Sequence, residues 1–170
     1  MISFPFDTSR PVMGKASVQI YKPVNEVFDF VGEHFFDNYP KWALEIAEFE
    51  PLTGNTVFVG AKARQLRKDQ GQKTESIFEI IEFKPETKLA FKGITAPYRD
   101  TYLLENDDIN DSTVLTFSFE LLELELFMRP FEKLIRSAIE EGAENTVENI
   151  KKLLSDDTDG DKRLCDAHPY

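Results

Sequence analysis

The last third of the chain carries the longest hydrophobic periodicity. Between Leu126 and Leu154, apolar or small residues recur at steps of three and four, which is the spacing of one helix face. Charged residues fill the intervening positions, and Pro130 suits a first helical turn because the N–H that it lacks would have no partner there. At about 1.5 Å per residue this helix would be roughly 40 Å long. So wide an apolar stripe needs an extended surface to pack against.

The rest of the chain reads mainly as β-strand. Residues 15–22 alternate apolar and polar positions, which predicts a strand with one buried face, and Pro23 ends it. Two short helical segments follow up to Pro40, and six strand-like segments then run to Glu125. Their connections are short turns, so neighbouring strands should pair antiparallel. The pattern predicts an α+β protein in which a curved, seven-stranded antiparallel sheet wraps around the long C-terminal helix.

The 170 residues suit a single domain with a sizeable core, and the periodic pattern places that domain at residues 15–155. Residues 1–14 contain two prolines and no sustained period, so we interpret them as an N-terminal arm. Residues 156–170 are polar and acidic, and we expect a disordered tail there.

The charge of the chain limits its partners. Its formal net charge is −11, whereas binding to nucleic acid or to an anionic membrane surface relies on Lys and Arg. No apolar run approaches the ~20 residues of a membrane span, and the N-terminus lacks a signal-peptide pattern. Cys165 is the single cysteine, so an intrachain disulfide is excluded and a reducing compartment is favoured. We expect a cytoplasmic protein; the oligomeric state is left open.

Several segments resemble one superfamily in their order along the chain. The opening strand and first helix (SVQIYKPVNEVFDFV), an aromatic motif (YPKWA), paired strands around a proline turn (FEIIEFKPETKLAFKG) and the closing strand (STVLTFSFEL) are similar to those of the helix-grip fold. START lipid-transfer domains, the birch-pollen allergen family and the polyketide cyclase/dehydrase family share this fold (the START/Bet v 1-like, or SRPBCC, superfamily). The resemblance covers roughly residues 15–155. It implies an apolar or amphipathic small molecule held between the sheet and the long helix.

A curved sheet cannot contact one helix along its whole concave face, so a cavity should remain at one end. The closing strand and the first half of the helix would line it, while the short helices and central strands would supply the mouth and far wall. The predicted lining comprises Leu115, Phe117, Phe119, Leu121, Phe131, Leu134, Ile135, Ala138, Phe28, Trp42, Leu89 and Phe91. Each of these residues would equally suit an ordinary packed core.

Polar residues in the strands could orient the head group of a ligand, notably Tyr98, Tyr102, Gln65, Arg67, Arg99 and Asp100. In the segment YRDTYLLE, Tyr98, Asp100 and Tyr102 share one face. If that face is inward, burial would raise the pKa of Asp100 and make it a candidate general base. If it is outward, Asp100 points to water. The sequence does not decide between the two registers.

Three further catalytic candidates are Tyr102, Arg67 and His34, although His34 has no nucleophile or carboxylate at a diagnostic spacing. Nucleotide-binding, zinc-protease and hydrolase motifs are absent from the sequence. The acidic turn at residues 106–111 lacks the glycine and the terminal glutamate of a calcium loop, and Cys165 with His168 would not complete a zinc site. We therefore expect no metal and no cofactor.

Three functions fit these observations. The first is binding or transport of a small hydrophobic molecule, such as a lipid or a polyketide, in the cavity. The second is an enzyme of the cyclase/dehydratase type that acts on a hydrophobic substrate in the same cavity. The third is a protein-interaction module without a ligand. A smooth apolar cavity would favour the first, buried and mutually bonded polar groups the second, and a packed interior the third.

Overall fold

A computed structural model describes the backbone of residues 10–165 and the side chains of residues 10–156. The chain begins with β1 (Val12–Ile20), α1 (Val24–Phe28), a π-helical turn (Asp29–Glu33) and α2 (Phe35–Trp42). The strands β2 (Ile46–Pro51), β3 (Lys62–Asp69), β4 (Gln72–Lys84), β5 (Lys88–Gly93), β6 (Tyr98–Asp107) and β7 (Ser112–Leu121) follow. A 3₁₀ helix (Leu126–Phe131) then leads into α3 (Glu132–Cys165).

The seven strands form one antiparallel sheet in the order β1-β7-β6-β5-β4-β3-β2. The strands from β2 to β7 form a meander, and β1 returns to pair with β7. The predicted helix-grip architecture is confirmed, including the placement of the first strand at one edge.

The long helix packs mainly against β1, with a smaller contact to β7. Gly14 makes this approach possible, because a Cβ there would lie 2.8 Å from the backbone nitrogen of Glu140. The C-terminal half of the described helix is firmly packed, since Ala143, Val147, Ile150 and Leu154 are all buried. α3 is therefore fixed to the edge of the sheet on which β1 lies.

An aromatic cluster fills the opposite half of the concave face. The ring of Phe35 in α2 lies with its centroid 4.9 Å from that of Tyr39 and 5.4 Å from that of Phe91. Phe78 lies 4.2 Å from Phe91, also centroid to centroid. The side chain of Asn149 in α3 donates to the backbone oxygen of Trp42 at 3.0 Å. This bond joins the end of α2 to the long helix.

Several predicted boundaries require correction. Pro40 does not end the second short helix, because α2 continues to Trp42 with the proline inside it. The predicted helix start at Leu126 is a 3₁₀ segment, and the α-helix begins at Glu132. α3 continues to Cys165, so the first ten residues of the segment expected to be a disordered tail lie within the helix.

The structure describes only part of the two terminal segments for which the sequence made predictions. Val12–Gly14, the last residues of the predicted arm, belong to β1, while residues 1–9 and 166–170 lie outside the described part of the chain. Within that described part, every helix is either too short or too polar to cross a lipid bilayer.

Candidate functional site

A cavity of about 350 Å³ lies between the concave face of the sheet and α3. The fully buried residues of α3 begin at Ala143, whereas Ile135, Ala138 and Ile139 bound the cavity without filling it. The cavity is lined by Tyr39, Trp42, Ala43, Glu45, Arg67, Asp100, Tyr102, Phe117, Phe119, Ile135, Ala138, Ile139, Gly142, Ala143 and Thr146.

One wall of the cavity is the apolar stripe of the helix. Ile135, Ala138, Ile139, Gly142 and Thr146 recur at helical spacing and therefore share one face. Phe117 and Phe119 of β7 lie two residues apart and project from the same side of the sheet. These side chains give the cavity a predominantly apolar lining.

The other wall is aromatic but carries polar tips. Trp42 donates from Nε1 to the hydroxyl oxygen of Tyr102 at 3.2 Å. Tyr39 donates its hydroxyl to Oε1 of Gln65 at 2.9 Å. Burial raises the pKa of both tyrosines well above the ordinary value, so both hydroxyls are protonated at neutral pH. They present neutral hydrogen-bonding groups to the interior.

Behind this wall, a buried polar network links three strands. Gln65 in β3 donates from Nε2 to the hydroxyls of Ser76 in β4 and Tyr98 in β6, at 3.2 and 3.0 Å. A second cavity of about 450 Å³ lies on this side and is more polar. Arg67 and Phe119 line both cavities and form the boundary between them.

An ion pair lies at the rim of the first cavity. Nη2 of Arg67 donates to Oε1 of Glu45 at 2.7 Å, and each side chain is about one third exposed. Glu45 precedes β2, and the antiparallel pairing of Ile46 with Arg67 brings the two charges together. The positive charge of Arg67 is therefore already paired within the protein.

Asp100 is the buried charge-bearing group of the site. It lies in β6 opposite Phe91 of β5 on one side and Phe119 of β7 on the other. Its side chain is 3% exposed, and Oδ1 has no hydrogen-bond partner among the described residues. Burial raises the pKa of Asp100 to about 7; the charge of Arg67 opposes this shift, and that of Glu45 adds to it. Asp100 can thus hold or release a proton near neutral pH.

The register that the sequence left open is resolved by these contacts. Tyr98, Asp100, Tyr102 and Leu104 form the buried face of β6. Of the predicted site residues, eight line the first cavity: Trp42, Arg67, Asp100, Tyr102, Phe117, Phe119, Ile135 and Ala138. Tyr98 lines the second cavity. Phe28, Leu89, Phe91 and Leu115 are buried in the hydrophobic core and do not contribute to the lining of either cavity.

Two of the predicted helix residues do not lie where the sequence placed them. Phe131 and Leu134 are 51% and 71% exposed, and neither lines the cavity. Both precede Ile135, the first helix residue of the lining, so the apolar stripe extends beyond the part of α3 that faces the sheet. Their prediction as inward-facing residues is wrong.

His34 also lies away from the cavity. Its side chain is more than half exposed, and its ring nitrogens lie 3.5 Å from a carboxylate oxygen of Asp29 and 3.8 Å from one of Asp37. The imidazole is therefore a surface group on the segment between α1 and α2. The suggestion that it acts in the cavity is not supported by its position.

Sequence reasoning missed seven lining residues: Tyr39, Ala43, Glu45, Ile139, Gly142, Ala143 and Thr146. A usable signal existed for the four on the helix, because they continue the predicted apolar stripe. Glu45 had no such signal, because its position depends on how β2 pairs with β3. Tyr39 lies on a short helix whose inward face is set by packing against other aromatic rings.

No protein-family model matches the chain, and no curated protein matches it. Solved structures nevertheless share its fold. The SA2116 protein of unknown function from Staphylococcus aureus is similar with a TM-score of 0.69 and 14% identity, over 88% of this chain and 97% of that one. The Polyketide_cyc-like protein Cgl2372 from Corynebacterium glutamicum is similar with a TM-score of 0.61 and 17% identity, over 95% of this chain and 99% of that one. Ara h 8.0201 is similar with a TM-score of 0.65 and 11% identity, over 86% of this chain and 99% of that one.

These similarities place the chain among proteins with the helix-grip fold. The fold that the resemblance implied is therefore confirmed. At such low identity, the activity of the chain must be argued from its own cavity.

Proposed function

We propose that the protein binds and carries a small, largely apolar molecule in the cavity between the sheet and α3. The observation that carries this proposal is the cavity itself, with its apolar helix wall and polar inner end. Its volume lies within the ~300–1,000 Å³ typical of small-molecule sites. An interaction module without a ligand would not require such a space, so we do not favour that alternative.

The driving force would be burial of the ligand's apolar surface against Phe117, Phe119, Ile135 and Ile139. Burial of apolar surface contributes ~25 cal/mol per Å², from which the costs of association must be subtracted. A molecule held in this way would be released without a chemical step, as carriage requires.

Gly142 offers a direct test because it lines the cavity and a Cβ there would meet nothing within 4 Å. Gly142→Phe should therefore fill the cavity without a clash, whereas Gly142→Ala should leave it open. Both changes favour the helix, by up to ~1 kcal/mol for alanine. The pair thus separates occupation of the cavity from stability. Ala138→Trp, one turn earlier, provides a second blocking variant.

The measurement is native mass spectrometry of the purified protein, followed by titration with a fluorescent fatty alcohol. The native protein and Gly142→Ala should bind with similar affinity, and the two blocking variants should bind at least about tenfold more weakly. Equal binding by all four proteins would place the ligand elsewhere. Absence of binding to folded native protein across a broad apolar panel would contradict the proposal.

A second function, proton transfer within the same cavity, is favoured by one specific observation. Asp100 is buried, its carboxyl oxygen Oδ1 is unpaired among the described residues, and its pKa is raised to about 7. A group with this pKa can remove a proton from carbon next to a ketone carbonyl, which is the first step of an aldol-type cyclisation. This supports the cyclase/dehydratase alternative.

The test is exchange of the α-protons of a long-chain methyl ketone in deuterium oxide, followed by NMR. Native protein should accelerate exchange at about pH 8, where Asp100 is mostly ionised, and Asp100→Asn should reduce the rate at least about a hundredfold. Thr113→Val, which removes a buried hydroxyl outside both cavities and leaves Asp100 in place, is the matched control. Equal exchange with native protein and Asp100→Asn would remove Asp100 as the base.

A further inference from the structure

Asp100 is costly to the fold, and among the described residues the charge of Arg67 opposes this cost without a hydrogen bond to Oδ1. A buried carboxyl without hydrogen bonds loses its interaction with water and gains nothing in return. Oδ1 of Asp100 is in this condition among the described residues, between two phenylalanines and within the lining of the cavity.

Three of the donors near Asp100 bond to other groups, and the hydroxyl of Tyr102, which accepts from Trp42, makes no hydrogen bond to Oδ1 of Asp100. The hydroxyl of Tyr39 donates to Gln65, and that of Tyr98 shares a 3.0 Å contact with Ser76. The guanidinium of Arg67 donates to Glu45. Asp100 is one of the residues that line the cavity, so a molecule bound there would lie beside its unpaired carboxyl group.

We propose that the molecule bound in the cavity carries a hydrogen-bond donor, a hydroxyl or an ammonium group, which donates to the carboxyl of Asp100. This inference rests on the proposed function, because it specifies the chemistry of the ligand that the cavity would hold. It predicts an apolar body against Phe117 and Ile139 and a donor at the inner end.

The charges around the site oppose an anionic head group. Glu45 and ionised Asp100 are two negative charges, and the single positive charge of the lining, on Arg67, is already paired at 2.7 Å. A carboxylate ligand would add a third negative charge to this region and would have no free cation there. Apolar acids should therefore bind more weakly than alcohols of similar size.

The dependence on pH follows from the groups that face Asp100. Tyr39 of α2, Tyr98 and Tyr102 of β6, Arg67 of β3 and Glu45 before β2 interact with it, and the described lining residues of α3 are uncharged. The ionised form of Asp100 can only accept a hydrogen bond, whereas the protonated form can also donate one. Discrimination between donor and acceptor ligands should therefore increase as the pH rises through 7.

The experiment compares four ligands by isothermal titration calorimetry at about pH 8.5, where Asp100 is mostly ionised. Decanol can donate, decylamine can donate and carries a positive charge, methyl octanoate can only accept, and decanoate is an anion. Decanol or decylamine should bind at least about tenfold more tightly than methyl octanoate, and decanoate most weakly. At about pH 6, methyl octanoate should gain affinity because protonated Asp100 can donate to its carbonyl.

Decylamine shows whether the donor that the site prefers is an ammonium group or a hydroxyl group. Decylamine should bind more tightly as Asp100 ionises, while the affinity for decanol should change little between the two pH values. A preference for either donor over the ester supports the proposal, and the pH response shows which donor the site favours.

Asp100→Leu removes the acceptor and retains a side chain of similar size. It should bind methyl octanoate at least as well as native protein and lose the preference for donors. Thr113→Val removes a buried hydroxyl of β7 that lies outside both cavities, and should keep that preference. Circular dichroism confirms that both variants fold.

Three outcomes would overturn the inference. If native protein binds methyl octanoate as tightly as both decanol and decylamine, or binds decanoate most tightly, the ligand does not require a donor, although the cavity still binds apolar molecules. If Asp100→Leu keeps the full donor preference, the acceptor lies elsewhere. If none of the four ligands binds to folded protein, the proposed function fails as well.

Discussion

A methyl group at Gly14 would stand 2.8 Å from the backbone nitrogen of Glu140, so β1 and α3 approach each other at the level of their backbones. Gly14→Ala must push the helix away from the sheet. We expect it to lower the free energy of unfolding by ~1–3 kcal/mol, as overpacking usually does. Urea denaturation measures the change. Gly142→Ala, where a Cβ meets open space, is the control and should not destabilise the protein.

Asp100 should make stability depend on pH in an unusual direction. Its pKa rises from 3.8 in the unfolded chain to about 7 in the fold, so the folded state holds the proton more strongly. Its contribution to stability therefore falls as the pH increases between about 4 and 7, by an amount on the order of 4 kcal/mol. Above that range the loss is complete.

Asp100→Asn should consequently stabilise the protein at about pH 8 and have little effect at about pH 3, where the native carboxyl is mostly protonated in both states. Chemical denaturation of both proteins at a series of pH values measures this difference. A stability difference that stays constant across the range would show that Asp100 does not titrate with a raised pKa.

The two charges at the rim should shift the pKa of Asp100 in opposite directions. Arg67 lowers it, so Arg67→Met should raise it further. Glu45 raises it, so Glu45→Gln should bring it down. NMR titration of the Asp100 carboxyl carbon measures both shifts. If the pKa of Asp100 shifts in the same direction in both variants, loss of the ion pair alters the structure of the site and not only its charge.

Phe91 and Phe131 should differ sharply in their importance for stability. Phe91 is fully buried and its ring packs against those of Phe78, Phe35 and Tyr39, so Phe91→Ala should cost ~3–5 kcal/mol. Phe131 is half exposed, so Phe131→Ala should cost under about 1 kcal/mol. Thermal unfolding of the two variants gives the comparison. A large loss for Phe131→Ala would indicate that its ring is buried in solution.

The strands and the helix were predictable because both leave a periodic signal, and the strand order followed from the short turns between neighbouring strands. Alternation in β7 and the three-and-four spacing of α3 identify which residues share a face. Periodicity does not show where one element ends relative to another. Phe131 and Leu134 continue the helical stripe, yet they lie before the part of α3 that bounds the cavity.

The register of β6 shows a second limit. Alternation groups Tyr98, Asp100 and Tyr102 on one face. When both faces of a strand carry polar groups, however, hydrophobicity does not decide which face is turned towards the core. The decision comes from the neighbouring strands, which place Phe91 and Phe119 beside Asp100. A buried carboxylate is therefore imposed by partners that are distant in the sequence.

Because α3 is packed unequally along its length, different residues of this helix serve stability and ligand binding. Val147 and Ile150 are buried against the rest of the domain and contribute to its stability, whereas Ile135 and Ala138 border open space and have fewer packing contacts to lose. Substitutions at Ile135 and Ala138 should thus change which molecules the cavity binds, with little loss of stability. Descendants of this sequence could acquire new specificities one substitution at a time while retaining the architecture.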